Sequence, residues 1–311
     1  MLNFLYVLDE NYNLPMLSSI ISLLENITKP ICIYVIHKNP ETFQYEEQLI
    51  TNYDNLVNLE IFKFDHNKSN FQSIAKKFDK DQHYTEATYY KLFLSDYLPK
   101  EVKEVVYIDP DVICLNNPTD SIQQQFKYMN NKFIVGASTH AYKKTENEDL
   151  FKRLSIDEKY FNAGVMFINL ETWRSKNITS KIISYYEENY QKIIWADQDL
   201  INSFLNGNYF EISELLNYPI SSANQNHIDK NYLLKEVLFA HFIGKDKPWS
   251  ISGIVKLDKF YNLYQDNFYR LNVNKYHLDS KNLTKDIFLV LRSSFKKKEK
   301  LKLIYNLFTN F

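Results

Sequence analysis

Two aspartates, Asp109 and Asp111, follow the apolar run Val105-Val106-Tyr107-Ile108. That run has the length and the β-branched, aromatic composition of a buried strand, and side chains two apart on a strand share a face. Pro110, between the two acids, cannot donate a ladder hydrogen bond and marks where the strand opens. Two carboxylates side by side at such an end need a counter-charge to stay ionised, and a hard divalent cation such as Mn2+ or Mg2+ supplies one. The chemistry expected of the pair is therefore metal-assisted handling of a ligand at a strand end, where open α/β sheets bind ligands. The spacing alone decides little, because Asp79-Lys80-Asp81 and Asp197-Gln198-Asp199 share it. The first lies in the polar stretch 76–83 and reads as a solvated loop. The second opens a helix, where acids in the first turn are ordinary partners of the helix dipole. On residue context alone, Asp109 and Asp111 read equally as a metal site and as a charged turn.

Two more stretches carry chemistry-bearing types. Asn162-Ala163-Gly164 is a small, polar bend ahead of an apolar strand, where glycine permits either close approach of the backbone to a ligand or a bulge. His241-Phe242-Ile243-Gly244-Lys245-Asp246-Lys247-Pro248-Trp249 closes another strand. One histidine at a strand end is ordinarily structural, but this turn also holds Lys247, a phosphate-seeking cation.

The elements that must position these residues alternate. Strands are expected at 2–8, 31–36, 57–64, 105–108, 133–137, 160–170 and 237–240, and helices at 14–24, 41–53, 88–97, 179–190 and 195–206. Polar loops are expected at 138–159 and 217–231. Strands alternating with helices imply a parallel sheet with right-handed crossovers. None of the five glycines forms a G-x-G-x-x-G or P-loop pattern. A nucleotide bound here would have its phosphates held by metal and cationic side chains, which argues against a dehydrogenase and a P-loop kinase.

At 311 residues with 45% hydrophobic content, the chain can bury one large α/β domain or two small ones. The net charge of −1 makes no case for nucleic acid. It hides an asymmetry: residues 281–311 hold eight Lys/Arg against two Asp/Glu, a net of +6, leaving −7 on the rest. Cys32 and Cys114 lie in apolar runs and offer neither a disulfide framework nor zinc spacing. The N-terminal run is too short and lacks the basic residues of a signal peptide, and no stretch reaches the length of a membrane span. The expected location is cytoplasmic.

In order along the chain, D-x-D after a strand, F-N-A-G-V, D-Q-D and H-x-x-G-x-x-K-P-W resemble glycosyltransferase family 8, which includes bacterial lipooligosaccharide galactosyltransferases and glucosyltransferases and glycogenin. The resemblance runs from Asn3 to about Trp249. It implies a GT-A fold: Rossmann-like, with a mixed, mostly parallel central sheet flanked by helices, here a catalytic domain over 1–250 with a small basic helical extension over 251–311. It implies retaining transfer of galactose or glucose from a UDP-hexose to a glycan on protein, lipooligosaccharide or cell wall, with Mn2+ ahead of Mg2+. Asp109, Asp111 and His241 would ligate the metal, a mixed carboxylate–imidazole set that suits Mn2+. Val7, Asp9 and Asn11 would hold the nucleoside, with Asp9 and Asn11 on uracil and ribose. Lys91 falls where the family places a basic residue near the donor. Asn162, Asp197 and Gln198 would bind the hexose, and Gly244 and Lys247 would close over the diphosphate. Retention leaves Asp197 as a nucleophile, Gln198 as a stabiliser of the oxocarbenium ion, or same-face attack with the phosphate taking the proton. One departure is Gly136-Ala137-Ser138-Thr139-His140, where the galactosyltransferases carry an acid; His140 or its neighbours are expected to alter the donor-sugar contacts.

The interleaved apolar and basic residues of 287–311 read as amphipathic helices, either lying on an anionic membrane surface or packed on the catalytic domain with their lysines in solvent. Two other functions compete. A catalytically silent nucleotide-sugar-binding partner of a glycosylation complex would bind a donor without turning it over. A metal-dependent nucleotidyltransferase would carry a glycine-rich or basic loop after its first strand, and Asp9-Glu10-Asn11-Tyr12 is not one.

Overall fold

The computed structural model describes residues 1–67, 69–75, 85–130, 132–139, 147–270, 278 and 283–309. Apolar runs free of proline and glycine form β1 (Leu2–Leu8), β2 (Ile31–His37), β3 (Leu56–Lys63) and β4 (Glu104–Ile108). Shorter strands follow: β5 (Val112–Cys114), β6 (Val135–Ser138), β7 (Asn162–Asn169), β8 (Phe210–Glu211), β9 (Tyr218–Ile220) and β10 (Phe239–Phe242). One sheet runs β3-β2-β1-β4-β7-β6-β8, and a second runs β5-β10-β9. In the first, β1 pairs in parallel with β2 and β4, and β2 with β3; β7 alone runs against its neighbours β4 and β6. This is the mixed, mostly parallel sheet that the resemblance implies.

The sheet is buried on both faces, as parallel sheets require. Alternate residues of β1 enter different cores. Phe4, Tyr6 and Leu8 pack with Met16, Leu17, Ile20 and Ile21 of the helix Asn13–Asn26. Leu5 and Val7 pack on the other side with Tyr34, Tyr90 and Tyr107. Residues 251–268 contribute Ile251, Ile254, Phe260, Tyr264 and Phe268 to the first of these cores. Ser18 Oγ on Asn13–Asn26 donates to the Tyr264 carbonyl at 2.9 Å, tying that helix to residues 251–268. Beyond them, helices Leu283–Arg292 and Lys297–Thr309 form the basic C-terminal extension. Cys32 and Cys114 are buried and unpaired with each other.

Two local readings change, and the helix expected at 88–97 is present with its pitch now fixed. The stretch 138–159 contains a helix, Glu148–Leu154, whose Leu150, Phe151 and Leu154 are buried. The stretch 217–231 contains β9 and the start of the helix Lys230–Glu236, which Asp229 caps through the Asn231 and Tyr232 amides. Most of 88–97 is a 3-10 helix, Glu86–Phe93, rather than an α-helix. Each is too short for its apolar periodicity to stand out from a loop or to fix its pitch. His140 and Asp79-Lys80-Asp81 lie outside the described residues.

Candidate active site

The two acids meet by a turn, which corrects the expectation of strand alternation. β4 ends at Ile108. The Asp109 amide donates to the Gly164 carbonyl on β7 at 2.7 Å, and the Val112 amide closes a turn on the Asp109 carbonyl at 3.1 Å. Pro110, with no N–H to give a ladder, lets the chain leave the first sheet there and enter the second as β5. β5 runs against β10 with Val112 opposite His241. That register brings His241 Nε2 to 3.3 Å from Asp111 Oδ1. Oxygens of Asp109 and Asp111 and a ring nitrogen of His241 all lie within 4.8 Å of one another.

β7 supplies the third wall. A β-carbon on Gly164 would sit 2.1 Å from His241 Cε1 and 2.6 Å from Nδ1, so the glycine is the space that the imidazole occupies. The Asn-Ala-Gly stretch is therefore part of the strand and not a bend before it, and its glycine admits a side chain where a ligand or a bulge was expected. The Gly164 amide donates to Asn162 Oδ1 at 2.9 Å. Asn217, just before β9, bonds the same Oδ1 at 3.0 Å and meets His241 Nδ1 at 2.9 Å.

Charge is arranged in two linked groups. Lys247 Nζ lies 2.5 Å from Asp111 Oδ2 and donates to the Phe242 carbonyl at 2.7 Å. Burial opposes ionisation of Asp111, but Lys247 and His241 outweigh it and hold the carboxyl well below its usual range. Lys91, itself buried, lies 2.7 Å from Asp197 and 3.5 Å from Asp109, with its ammonium over the Tyr107 ring. Burial disfavours its charge, yet Asp109 and Asp197 together raise its pKa. Asp197 is raised, chiefly by burial and further by Asp109, against the pull of Lys91. The Tyr107 hydroxyl, kept protonated by burial, donates to Asp109, and Thr88 donates to Asp197.

The helix Ala196–Leu205 presents Asp197 and Gln198. Its first residue, Ala196, adopts a left-handed backbone (φ 45°), costing roughly 1–3 kcal/mol. Asp199, fully buried, holds that entry. Its carboxylate accepts from the Ile194 and Trp195 amides, Arg153 and the Tyr160 hydroxyl, each within 2.8 Å. Gln198 Oε1 accepts from the Ala163 amide at 3.1 Å and its Nε2 donates to Tyr160 at 3.0 Å, docking the helix on β7. Asp199 and Asn217 escape reasoning from sequence; the repeated acid of Asp197-Gln198-Asp199 was the one available signal for the former, and nothing local marked the latter.

The remaining candidates lie at or just past the end of β1, which pairs with β4, and on the turn after β10. Val7 and Asp9 are buried where β1 ends, and Asp9 accepts from the Asn11 amide at 3.0 Å, with Asn11 itself exposed. Gly244 stands exposed on the turn after β10 with φ 81°. Asp246 pins that turn to Lys256 at 2.8 Å and Ser222 at 2.7 Å. A β-carbon on Gly253 would fall 1.9 Å from the Lys247 carbonyl oxygen, so this glycine lets the helix Ile251–Lys256 seat the lysine's backbone.

The donor set fits a divalent cation. Asp111 Oδ1 is buried with no hydrogen-bond donor, two carboxylates and one imidazole converge on it, and three carboxylates of the cluster face two lysines.

Comparison with known proteins gives a consistent result. The model of glycosyl transferase family 8 matches residues 3–253. The chain is 26% identical over 271 residues to a lipopolysaccharide 1,2-glucosyltransferase of Escherichia coli, covering 83% of this chain and 76% of the relative. It is 28% identical to a lipopolysaccharide 1,3-galactosyltransferase of Salmonella typhimurium, over 60% of this chain and 56% of the relative. Among solved structures, the galactosyltransferase LgtC in complex with donor and acceptor sugar analogues superposes with a TM-score of 0.69 at 18% identity, over 92% of this chain and 100% of that one.

Proposed function

The chain belongs to glycosyltransferase family 8, and from that premise we propose that it is a retaining hexosyltransferase that moves galactose or glucose from a UDP-sugar to a glycan acceptor with Mn2+. The observation that carries this reading is the convergence of Asp109, Asp111 and His241 beside Lys247 and Lys91. Asp109, Asp111 and His241 would hold the cation, and imidazole among carboxylates favours Mn2+ over Mg2+. When bound, such a cation acts as a Lewis acid on the diphosphate as charge builds on the departing UDP.

Lys247 has three N–H donors and spends two on Asp111 and Phe242, so the third is available to a diphosphate oxygen. Val7, Asp9 and Asn11 lie at the end of β1 as the nucleoside end of the site. Asn162, Asp197 and Gln198 are the sugar-binding side, and Gly244 belongs to the turn over the diphosphate.

Same-face attack is the better supported route to retention. Asp197 already takes Thr88 on one oxygen and Lys91 on the other, and the amide of Gln198 is a poor nucleophile. In that route the bond from the anomeric carbon to the phosphate oxygen breaks while the acceptor oxygen bonds to the same face. The acceptor's proton passes to the departing phosphate.

The C-terminal helices support peripheral contact with an anionic membrane, where lipid-linked acceptors would be met. Phe288, Leu291, Leu301, Tyr305 and Phe308 are more than half exposed among exposed Arg292, Lys296, Lys297, Lys298 and Lys302. Among the described residues no helix is long and apolar enough to cross a membrane.

A UDP-release screen across UDP-Gal, UDP-Glc, UDP-GlcNAc and UDP-GalNAc, with and without Mn2+, tests the proposal. Release is expected from a hexose donor and lost in excess chelator. Asp111→Ala should abolish it with the circular dichroism spectrum unchanged. Full turnover in chelator, or an active Asp111→Ala, contradicts the metal assignment. UDP-hexose binding without turnover would mark a silent binding partner instead.

A further inference from the structure

The nitrogen that His241 can offer a cation is decided by groups that are not themselves proposed to touch it. A backbone amide is only a donor, so the Asn162 atom that meets the Gly164 amide at 2.9 Å is an acceptor, Oδ1. The Asn162 backbone carbonyl is likewise only an acceptor. Asn217 approaches both of these oxygens with one end of its amide, at 3.0 and 3.3 Å, and that end must be the NH2 group. Its other end, Oδ1, therefore faces His241 Nδ1 at 2.9 Å. An acceptor there calls for a proton on Nδ1. With Nδ1 protonated, Nε2, 3.3 Å from Asp111 Oδ1, is the nitrogen that can shed any proton it holds and turn a lone pair to a cation. Asn217 and His241 are both buried, so bulk water does not compete for these bonds.

We propose that Asn217 is a positioning residue that keeps the His241 proton on Nδ1 and so presents Nε2 to the divalent cation, while its NH2 group joins this ligand to Asn162 on the sugar-binding side. This rests on the metal reading above and deepens it. Partners that hold a metal-ligating histidine in this way are typically worth 10–100-fold in metal affinity.

Two measurements on the full chain test it: the protonation of the His241 ring nitrogens in the metal-free protein by 15N NMR, and Mn2+ affinity without donor by electron paramagnetic resonance. The His241 signals are those missing from His241→Gln. In the unaltered protein Nδ1 should carry a proton. Asn217→Leu, close in size but without an acceptor, should move the proton towards Nε2 and weaken Mn2+ binding about 10–100-fold. Asn217→Asp keeps the acceptor and should keep both the proton position and Mn2+ affinity, while raising KM for the donor because the NH2 group on Asn162 is lost. A bare Nδ1 in the unaltered protein overturns the proposal, as does an Asn217→Leu protein with unchanged proton position and Mn2+ affinity. The first of these is read on the unaltered protein, with His241→Gln serving only to identify the signals, so the outcome does not hang on Asn217→Leu folding. Absence of Mn2+ binding by the unaltered protein would overturn the metal reading alone, with the proton position on His241 still deciding what Asn217 does.

Discussion

His37 shows how a single buried side chain near the site ties stability to pH. It ends β2 fully buried, with Nε2–H donating to Asn13 Oδ1 at 2.7 Å and Nδ1 accepting the Asn39 amide at 2.9 Å. A second proton would have to sit on Nδ1 against that amide. Burial lowers its pKa, and the nearby carboxylates of Glu10, Asp9 and Glu41 offset this only in part. The sign follows from linkage: below the unfolded value the unfolded chain takes up a proton that the folded chain refuses, so stability falls as pH drops. Between about pH 6.5 and the lower folded value this slope is at most about 1.4 kcal/mol per pH unit. Urea unfolding at successive pH values should show that part of the slope vanish in His37→Gln; an identical slope in the variant would assign it to other groups. His37 lies one residue past the strand expected at 31–36, and although Asn39 is two residues on, the Asn13 that accepts its hydrogen bond is on another element, so no pattern around it distinguished a buried neutral histidine from a surface one.

At the level of elements, β7 does more than fill the sheet. Antiparallel to β4, it puts the Gly164 carbonyl on the Asp109 amide and leaves room beside its backbone for the His241 ring. Gly164→Ala would drive a methyl group into the imidazole, and overpacking of this kind costs about 1–3 kcal/mol. Mn2+ affinity should fall about 10–100-fold as His241 is displaced, read by electron paramagnetic resonance alongside a denaturant midpoint. Unchanged Mn2+ affinity would mean that the ring has somewhere else to go. The glycine was conspicuous from its neighbours, yet its reason was not, because the group it accommodates arrives from β10. In the same way the helix Ala196–Leu205 was legible from its periodicity, whereas the strained Ala196 and the four bonds onto Asp199 were not. A carboxylate that satisfies distant backbone amides looks, along the chain, like any acid in a first helical turn.

The whole molecule divides its charge and its apolar surface unevenly. The candidate active site gathers acids around two lysines and a candidate metal-ligand set, while residues 281–311 carry a net of +6. In Lys297–Thr309, Leu301, Tyr305 and Phe308 recur on one exposed face, while Leu303 and Leu307 are buried on the other. An apolar stripe flanked by lysines suits the headgroup region of an anionic bilayer, where each basic residue contributes about 1 kcal/mol. Co-sedimentation with liposomes containing phosphatidylglycerol should retain the full chain and release a chain ending at Asp279, with the difference shrinking at high salt. Equal retention of both would sink the membrane reading. Such a cut keeps the residues 251–268 that share the core of the sheet but removes Val290, Leu303 and Leu307 from it, so circular dichroism and a denaturant midpoint must first show that the shortened chain is folded.

Alternation of apolar strands with amphipathic helices, the absence of a glycine-rich phosphate loop, the basic tail and the paired acids Asp109 and Asp111 were all readable from residue order, whereas His241 became a metal-site candidate only through the family resemblance. Periodicity and side-chain chemistry belong to short stretches of chain. The resemblance implied that Asp111 and His241 meet, but how they do so was not readable, nor was the choice of nitrogen that Asn217 makes, nor the room that Gly164 and Gly253 leave for their neighbours. Those depend on the register between β5 and β10 and on the packing of strands far apart in sequence. Only the folded chain brings an acceptor, a donor and an empty volume to the same few ångströms.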